Sequence, residues 1–110
     1  MLIKQSEYLK SFSNHLLASE KQVILGKNVI PHLLQVAVGF LKKDQFIESH
    51  SHDTMNEFFY LIDGKLQIEI ENVIFVIENN DSILIGKKKK HSLLAIENSK
   101  FLYFNIEDNI

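Results

Sequence analysis

The chain has 110 residues, the commonest size for a single domain. Its 45% apolar content, one Pro and four Gly suit one packed core and exclude a disordered or fibrous chain. It has no Cys, which removes disulfides and thiol chemistry and leaves His and carboxylate as the only strong metal ligands. The formal charge is −2 and the twelve basic residues are all Lys, so no Arg is available for bidentate phosphate or guanine contacts, which argues against nucleic-acid binding.

The N-terminal residues lack the apolar core of a secretory signal and no apolar run approaches the roughly 18 residues of a membrane span, so a cytoplasmic protein without a membrane partner is expected. Tyr8, Phe12 and Leu16 fall at i, i+4 and i+8 and predict a short helix in an N-terminal extension over residues 1–32. That extension is expected to pack on the body of the protein or on a partner subunit. Residues 33–110 carry the main domain.

There Leu33 to Leu41 and Phe46 to His52 read as strands, joined by the polar Lys42-Lys43-Asp44-Gln45 turn, with Pro31 at a strand entrance. The run Phe58 to Ile62 is followed by Asp63-Gly64, which predicts a type I′ hairpin into the next strand. In that strand Leu66, Ile68 and Ile70 alternate with Gln67, Glu69 and Glu71, giving one buried and one solvated face. Turns at Glu71-Asn72 and Asn79-Asn80-Asp81 separate Val73 to Ile77 from Ser82 to Ile85, and strands follow at His91 to Ile96 and Phe101 to Ile106. About nine short strands and little helix point to a closed barrel or a two-sheet sandwich.

His50 and His52 are two apart on a predicted strand, so both imidazoles leave the same face and can meet one ion. A turn over Asp53 to Asn56 brings Glu57 beside them, and His91 can complete the set from a later strand across the barrel. Such a mixed N/O set suits Fe, Mn, Ni, Zn or Cu.

The segment from His50 through Ser, His52 and four further residues to Glu57, then six residues to Gly64, resembles the first signature of the cupin superfamily. Asn80-Asp81 through Gly86 and the Lys87–Lys90 run to His91 is similar to the second. Asp44, Asn80 and Lys88 stand where these signatures usually have Gly, Gly86 stands where Pro is usual, and Ala95 replaces a closing Asn. The departures fall in turns rather than ligands. The resemblance implies an all-β double-stranded β-helix, or jelly-roll, barrel with three His and one Glu on one divalent ion. It also implies open coordination positions that permit Lewis-acid or redox chemistry.

Strand alternation places Phe59 and Leu61 inward with Glu57, Phe46 with His50 and His52, and Leu93 with His91, giving a mostly hydrocarbon substrate pocket. Lys90, at the mouth beside His91, is a candidate for drawing in an anion, although a charge run more often faces solvent. Glu48 and Tyr103 are the remaining candidates for a general acid or base. The outward Phe58, Tyr60 and Ile62 require cover, which a homodimer would supply.

The function expected is a metal-dependent cupin enzyme of dioxygenase, isomerase or lyase type acting on a small molecule. Without Arg, a neutral, aromatic or weakly anionic substrate is favoured over a phosphosugar or small diacid. The alternative is a non-catalytic module that binds or senses a metal or small ligand. His15 and His32 fit no ligand spacing and are read as structural.

Overall fold

The computed structural model describes residues 1–12 and 20–109. One turn of 3-10 helix, Gln5–Glu7, precedes ten strands among those residues: β1 (Leu9–Phe12), β2 (Glu20–Leu25), β3 (Leu33–Leu41), β4 (Phe46–His50), β5 (Met55–Asp63), β6 (Lys65–Ile70), β7 (Val73–Glu78), β8 (Ser82–Ile85), β9 (His91–Ala95) and β10 (Ser99–Glu107). They form a six-stranded sheet in the order β1-β2-β3-β10-β5-β8 and a four-stranded sheet in the order β4-β9-β6-β7, the jelly-roll arrangement expected. None of the described helices is long and apolar enough to cross a membrane.

The period-two pattern sets which residues meet between the sheets. Leu41, Phe59, Leu61, Ile85 and Phe101 from the larger sheet pack against Ile47, Leu66, Ile68, Ile77, Leu93 and Ala95 from the smaller. Leu61, Leu66 and Ile68 are fully buried, each worth about 1.5–3 kcal/mol of transfer free energy. This core closes one end of the barrel and leaves the other to the polar residues at the end of β4 and the starts of β5 and β9.

Three local expectations differ from what forms. The helix expected from Tyr8 does not: Leu9–Phe12 is extended and pairs antiparallel with Glu20–Val23, because an edge of the larger sheet offers those residues a ladder that an isolated amphipathic turn cannot match. Leu16 and His15 lie outside the described residues. Asp63-Gly64 is no hairpin either, since β5 and β6 belong to different sheets. Gly64 alone has positive φ, at 120°, and turns the chain from one sheet to the other where Asn98 O would lie 2.5 Å from any Cβ and Ser99 Oγ closer still. The I′-like turn is at Glu71-Asn72 instead, with φ of 47° and 67°, joining β6 to β7.

The third difference is a bulge in β4. Phe46 pairs with Leu94 and Ile47 with Leu93, but the next partner of β9 is His50 with His91, so two residues of β4 oppose one of β9. Parity is broken between them. Ile47 therefore shares the inward face with His50, and Phe46, expected in the pocket, is 45% exposed on the outside.

Asp44, Asn80 and Lys88 occupy the usual glycine positions of the two signatures, yet all three keep left-handed backbone, with φ of 70°, 72° and 66°. Asp and Asn tolerate that region; Lys does not without a cost of about 1–2 kcal/mol. Lys88→Gly is accordingly expected to raise stability by about 0.5–1 kcal/mol, after the extra freedom that glycine gives the unfolded chain. Gly64→Ala should lower it by at least about 1–3 kcal/mol through backbone strain, before the clash with Asn98 is counted. Chemical denaturation midpoints of the two variants read both signs.

Candidate metal centre

The polar end of the barrel gathers the four residues singled out by spacing. His50 ends β4, His91 begins β9 directly opposite it, and Glu57 is the third residue of β5. His52 lies two residues beyond β4, in the loop leading to β5. One ligand atom from each of the four lies within 4.8 Å of all the others. The rings crowd together, with His50 and His91 centroids 4.2 Å apart and those of His50 and His52 5.0 Å apart.

The loop that carries His52 is pinned by main-chain bonds from the Lys-rich segment. Lys88 N–H donates to His52 O at 2.6 Å and Lys87 N–H to Asn56 Oδ1 at 2.9 Å, while Asp108 N–H from the C-terminal tail donates to Thr54 O at 2.6 Å. Lys87 Nζ also meets Asp108 Oδ1 at 3.4 Å. The lysine run thus shapes the loop through its backbone.

Hydrogen bonding sets the state of each imidazole. His50 Nδ1 donates to Glu48 O at 2.8 Å and His91 Nδ1 to Lys89 O at 2.9 Å, which turns the Nε2 lone pair of a neutral ring toward the cavity in each case. His91 Nε2 faces Glu57 Oε1 at 3.1 Å, and both partners are buried, at 2% and 7% exposure. Two acceptors cannot rest there unless a positive charge lies between them. Burial presses the His91 pKa down, but the hydrogen bond to Glu57 and the bond to the Lys89 carbonyl outweigh it, so the net direction is up.

His52 behaves oppositely. Burial lowers its pKa, His50 and His91 push the same way, and the opposing pull of Glu57 and Asp53 is insufficient. Its Nε2 is buried and has no hydrogen-bond partner among the described residues, with Glu57 Oε2 at 3.7 Å, too far for one. A neutral imidazole whose buried nitrogen faces a carboxylate without a hydrogen bond is an expensive arrangement in a protein interior. It suits a cation. Donors each about 2.0–2.2 Å from one ion stand roughly 3–3.5 Å apart, close to the 3.1 and 3.7 Å seen here.

A residue that sequence reasoning missed completes the centre. Asn105 of β10 is the register partner of Glu57, and its amide, turned to satisfy its neighbours, donates to Glu57 Oε2 at 2.9 Å and to Phe104 O at 3.3 Å. The signal was present in the alternation of β10: Phe101, Tyr103 and Asn105 share a face, so an Asn was assigned to the interior.

Beside the four residues lies a cavity of about 50 Å³. Ile47, Phe59, Leu93, Phe101 and Tyr103 supply its apolar wall, His50 and Glu57 its metal side, and Gly39, Glu20 and Lys21 its far side. Of the pocket residues expected, Phe59 and Leu93 border it and Leu61 is buried in the adjoining core. Lys90 is exposed and borders a separate surface groove with Ser49, Glu69 and Asn72. Glu48 is exposed and serves the site through its carbonyl. Tyr103 does border the cavity, and burial together with the Glu57 carboxylate pushes its phenol up to about 12.

If Asn105 holds the carboxylate in place, Asn105→Leu should leave the barrel folded and weaken metal affinity about 10–100-fold, as read by competition with a chromophoric chelator.

Residues 38–107 match the family profile described as Cupin domain. No curated protein matches the sequence. Among solved structures, a predicted oxalate decarboxylase from Thermotoga maritima superimposes with a TM-score of 0.87 at 19% identity, covering 97% of this chain and 99% of that one. KdgF from Halomonas sp. gives 0.80 at 12% identity over 100% and 94% of the two chains. Iron(II) HppE gives 0.80 at 14% identity over 96% of this chain and 60% of its own. At such identities the likeness is one of fold. With the profile covering most of the chain and the ligand spacing of both signatures intact, the protein belongs to the cupin family.

Proposed function

We propose that this chain is a cytoplasmic, metal-dependent cupin in which His50, His52, Glu57 and His91 hold one divalent transition metal, whether Fe, Mn, Ni, Zn or Cu. The adjoining cavity takes a small organic molecule for a dioxygenase-, isomerase- or lyase-type reaction. The observation that carries this reading is the buried, unpartnered His52 Nε2 converging with three further donor atoms on one point. The iron(II) state of HppE makes iron the first ion to test.

A bound metal supplies Lewis-acid or redox chemistry at open coordination positions. The chain's own residues do the rest. Phe59, Phe101, Leu93 and Ile47 exclude water from the cavity and raise the weight of every charge within it. Asn105 fixes the Glu57 carboxylate, and the Glu48 and Lys89 carbonyls fix the ring orientations of His50 and His91. Tyr103 keeps its proton well above neutral pH and stands as a hydrogen-bond donor to a ligand in the cavity.

One observation favours a second reading, a non-catalytic metal- or ligand-binding module: Glu48 is exposed and Tyr103 holds its proton too firmly to serve as a base near neutral pH. Substrate turnover by the iron form, tested against a panel that includes phenols and thiols and followed by product analysis as well as oxygen uptake, separates the two.

The proposal includes a homodimer. Leu84, Phe58, Phe104, Val36 and Leu25 are in register across β8, β5, β10, β3 and β2 on the outer face of the larger sheet. Phe58 and Phe104 stack at 5.0 Å, and Leu84 is 67% exposed. An uncharged row of this kind can face its own two-fold copy without repulsion.

Protein purified without a polyhistidine tag or chelators should carry about one transition-metal ion per chain by plasma mass spectrometry. His52→Ala and His91→Ala should reduce that at least tenfold with the far-ultraviolet circular dichroism retained; full occupancy in either variant removes it from the ligand set. Sedimentation should give a dimer that Leu84→Glu converts to monomer, and a monomeric parent protein discards the dimer.

A further inference from the structure

The far wall of the cavity comes from β2, in the segment that the sequence placed outside the main domain. Lys21 pairs in register with Gly39 of β3. Cross-strand partners project from the same face of a sheet. Gly39 faces the interior, because a Cβ there would lie 2.5 Å from the Phe101 ring, so Lys21 projects over the same inner face. Between Gly39 and Gln35, the inward position of β3 is Ala37, fully buried and too short to obstruct a long side chain. The Lys21 ammonium lies 3.4 Å from Gln35 Oε1, and Lys21 borders the same cavity as His50, Glu57 and Tyr103.

Among the described residues no carboxylate lies within ion-pair distance of the Lys21 ammonium, and the one hydrogen-bond acceptor recorded for it is the neutral Gln35 amide. Burial, with Lys27 adding to it, lowers its pKa, the direction expected of a cation short of compensating charge. Glu20 borders the cavity too but is exposed.

Resting on the metal-centre reading above, we propose that Lys21, steadied by Gln35, anchors an anionic substrate, a small carboxylate, against the metal. The charges agree: a divalent ion with Glu57 and three neutral imidazoles leaves one net positive charge, and Lys21 adds a second across the cavity. A volume of about 50 Å³ holds on the order of a few waters, which limits the ligand to a handful of non-hydrogen atoms. The lysine supplies the grip on a carboxylate that a chain without Arg would otherwise lack, and among the neutral, aromatic or weakly anionic substrates that composition favours it selects the anionic ones.

The test compares wild type, Lys21→Met and Lys21→Gln, each loaded with Co(II), whose visible absorption reports ligands entering the site. Acetate and its neutral isostere acetamide are the probes. All three proteins should load metal equally; both variants should bind acetate about tenfold or more weakly than wild type, with acetamide unchanged. Lys21→Gln keeps a polar head for Gln35 and so isolates the charge if Lys21→Met disturbs β2. Equal acetate affinity in metal-loaded wild type and variants overturns the assignment of Lys21 and leaves the metal centre standing. Equal losses of acetate and acetamide also overturn it, since they report a damaged wall rather than a lost charge. A wild type that takes up no metal overturns both.

Discussion

A buried carboxylate and a buried imidazole nitrogen face each other at 3.1 Å in this barrel, and the imidazole's only other nitrogen already donates to the chain at Lys89. Glu57 and His91 therefore create a position that must hold positive charge. A proton can fill it, which is why the His91 pKa moves up even though burial presses it down. A divalent ion at that point would also engage His52 Nε2, which a proton on His91 leaves stranded. Proton and metal compete for one place, so loading the site releases whatever proton His91 holds. Leaving the place empty is the costly option, since an uncompensated charge at 7% exposure costs several kcal/mol.

The fold delivers this constraint through register rather than through any single turn. Gln35, Asn105 and Glu57 lie side by side on β3, β10 and β5, forming a polar row across the inner face of the larger sheet at the end where β4 stops and β9 starts. One row further in, Ala37, Tyr103 and Phe59 begin the apolar wall. The boundary between polar row and apolar core is one residue pair wide, which is how a mostly hydrocarbon barrel holds four ligands without flooding its core. The smaller sheet contributes two of the histidines, His50 and His91, from adjacent strands. The bulge in β4 makes that possible: without the extra residue between Ile47 and His50, one of the two would face solvent.

Much of this was readable from the chain. The spacing of His50, His52 and Glu57 survives folding because it spans one strand end and one short loop, and His91 arrives with its strand. What could not be read depends on pairings between distant segments. Phe46 looked inward because period two is the only rule a lone strand offers, and a bulge is invisible until its partner strand is known. Asp63-Gly64 between two apolar runs reads the same whether those runs pair or diverge into separate sheets; only the close approach of Asn98 and Ser99 distinguishes the corner. Lys90 drew attention by adjacency to His91 in sequence, yet neighbouring residues of an extended chain point apart. Lys21 and Asn105 were overlooked because they lie far from the signatures in sequence and join the site only through strand register.

The departures from the usual signature glycines carry the same lesson in reverse. Asp44, Asn80 and Lys88 retain the left-handed backbone that glycine normally supplies, so the loops keep their course while the residues change. At Lys88 this matters most, since the same residue donates its N–H to the carbonyl of His52. The strain held there is balanced by the bond that places a ligand, and a strained residue persists only where its surroundings over-determine it. The site thus draws on two kinds of support. His91, Glu57 and Asn105 stand on the inner strands β9, β5 and β10 and His50 on the edge strand β4 of the smaller sheet, whereas the Lys21 wall rests on β2, which is hydrogen-bonded to the barrel through β3.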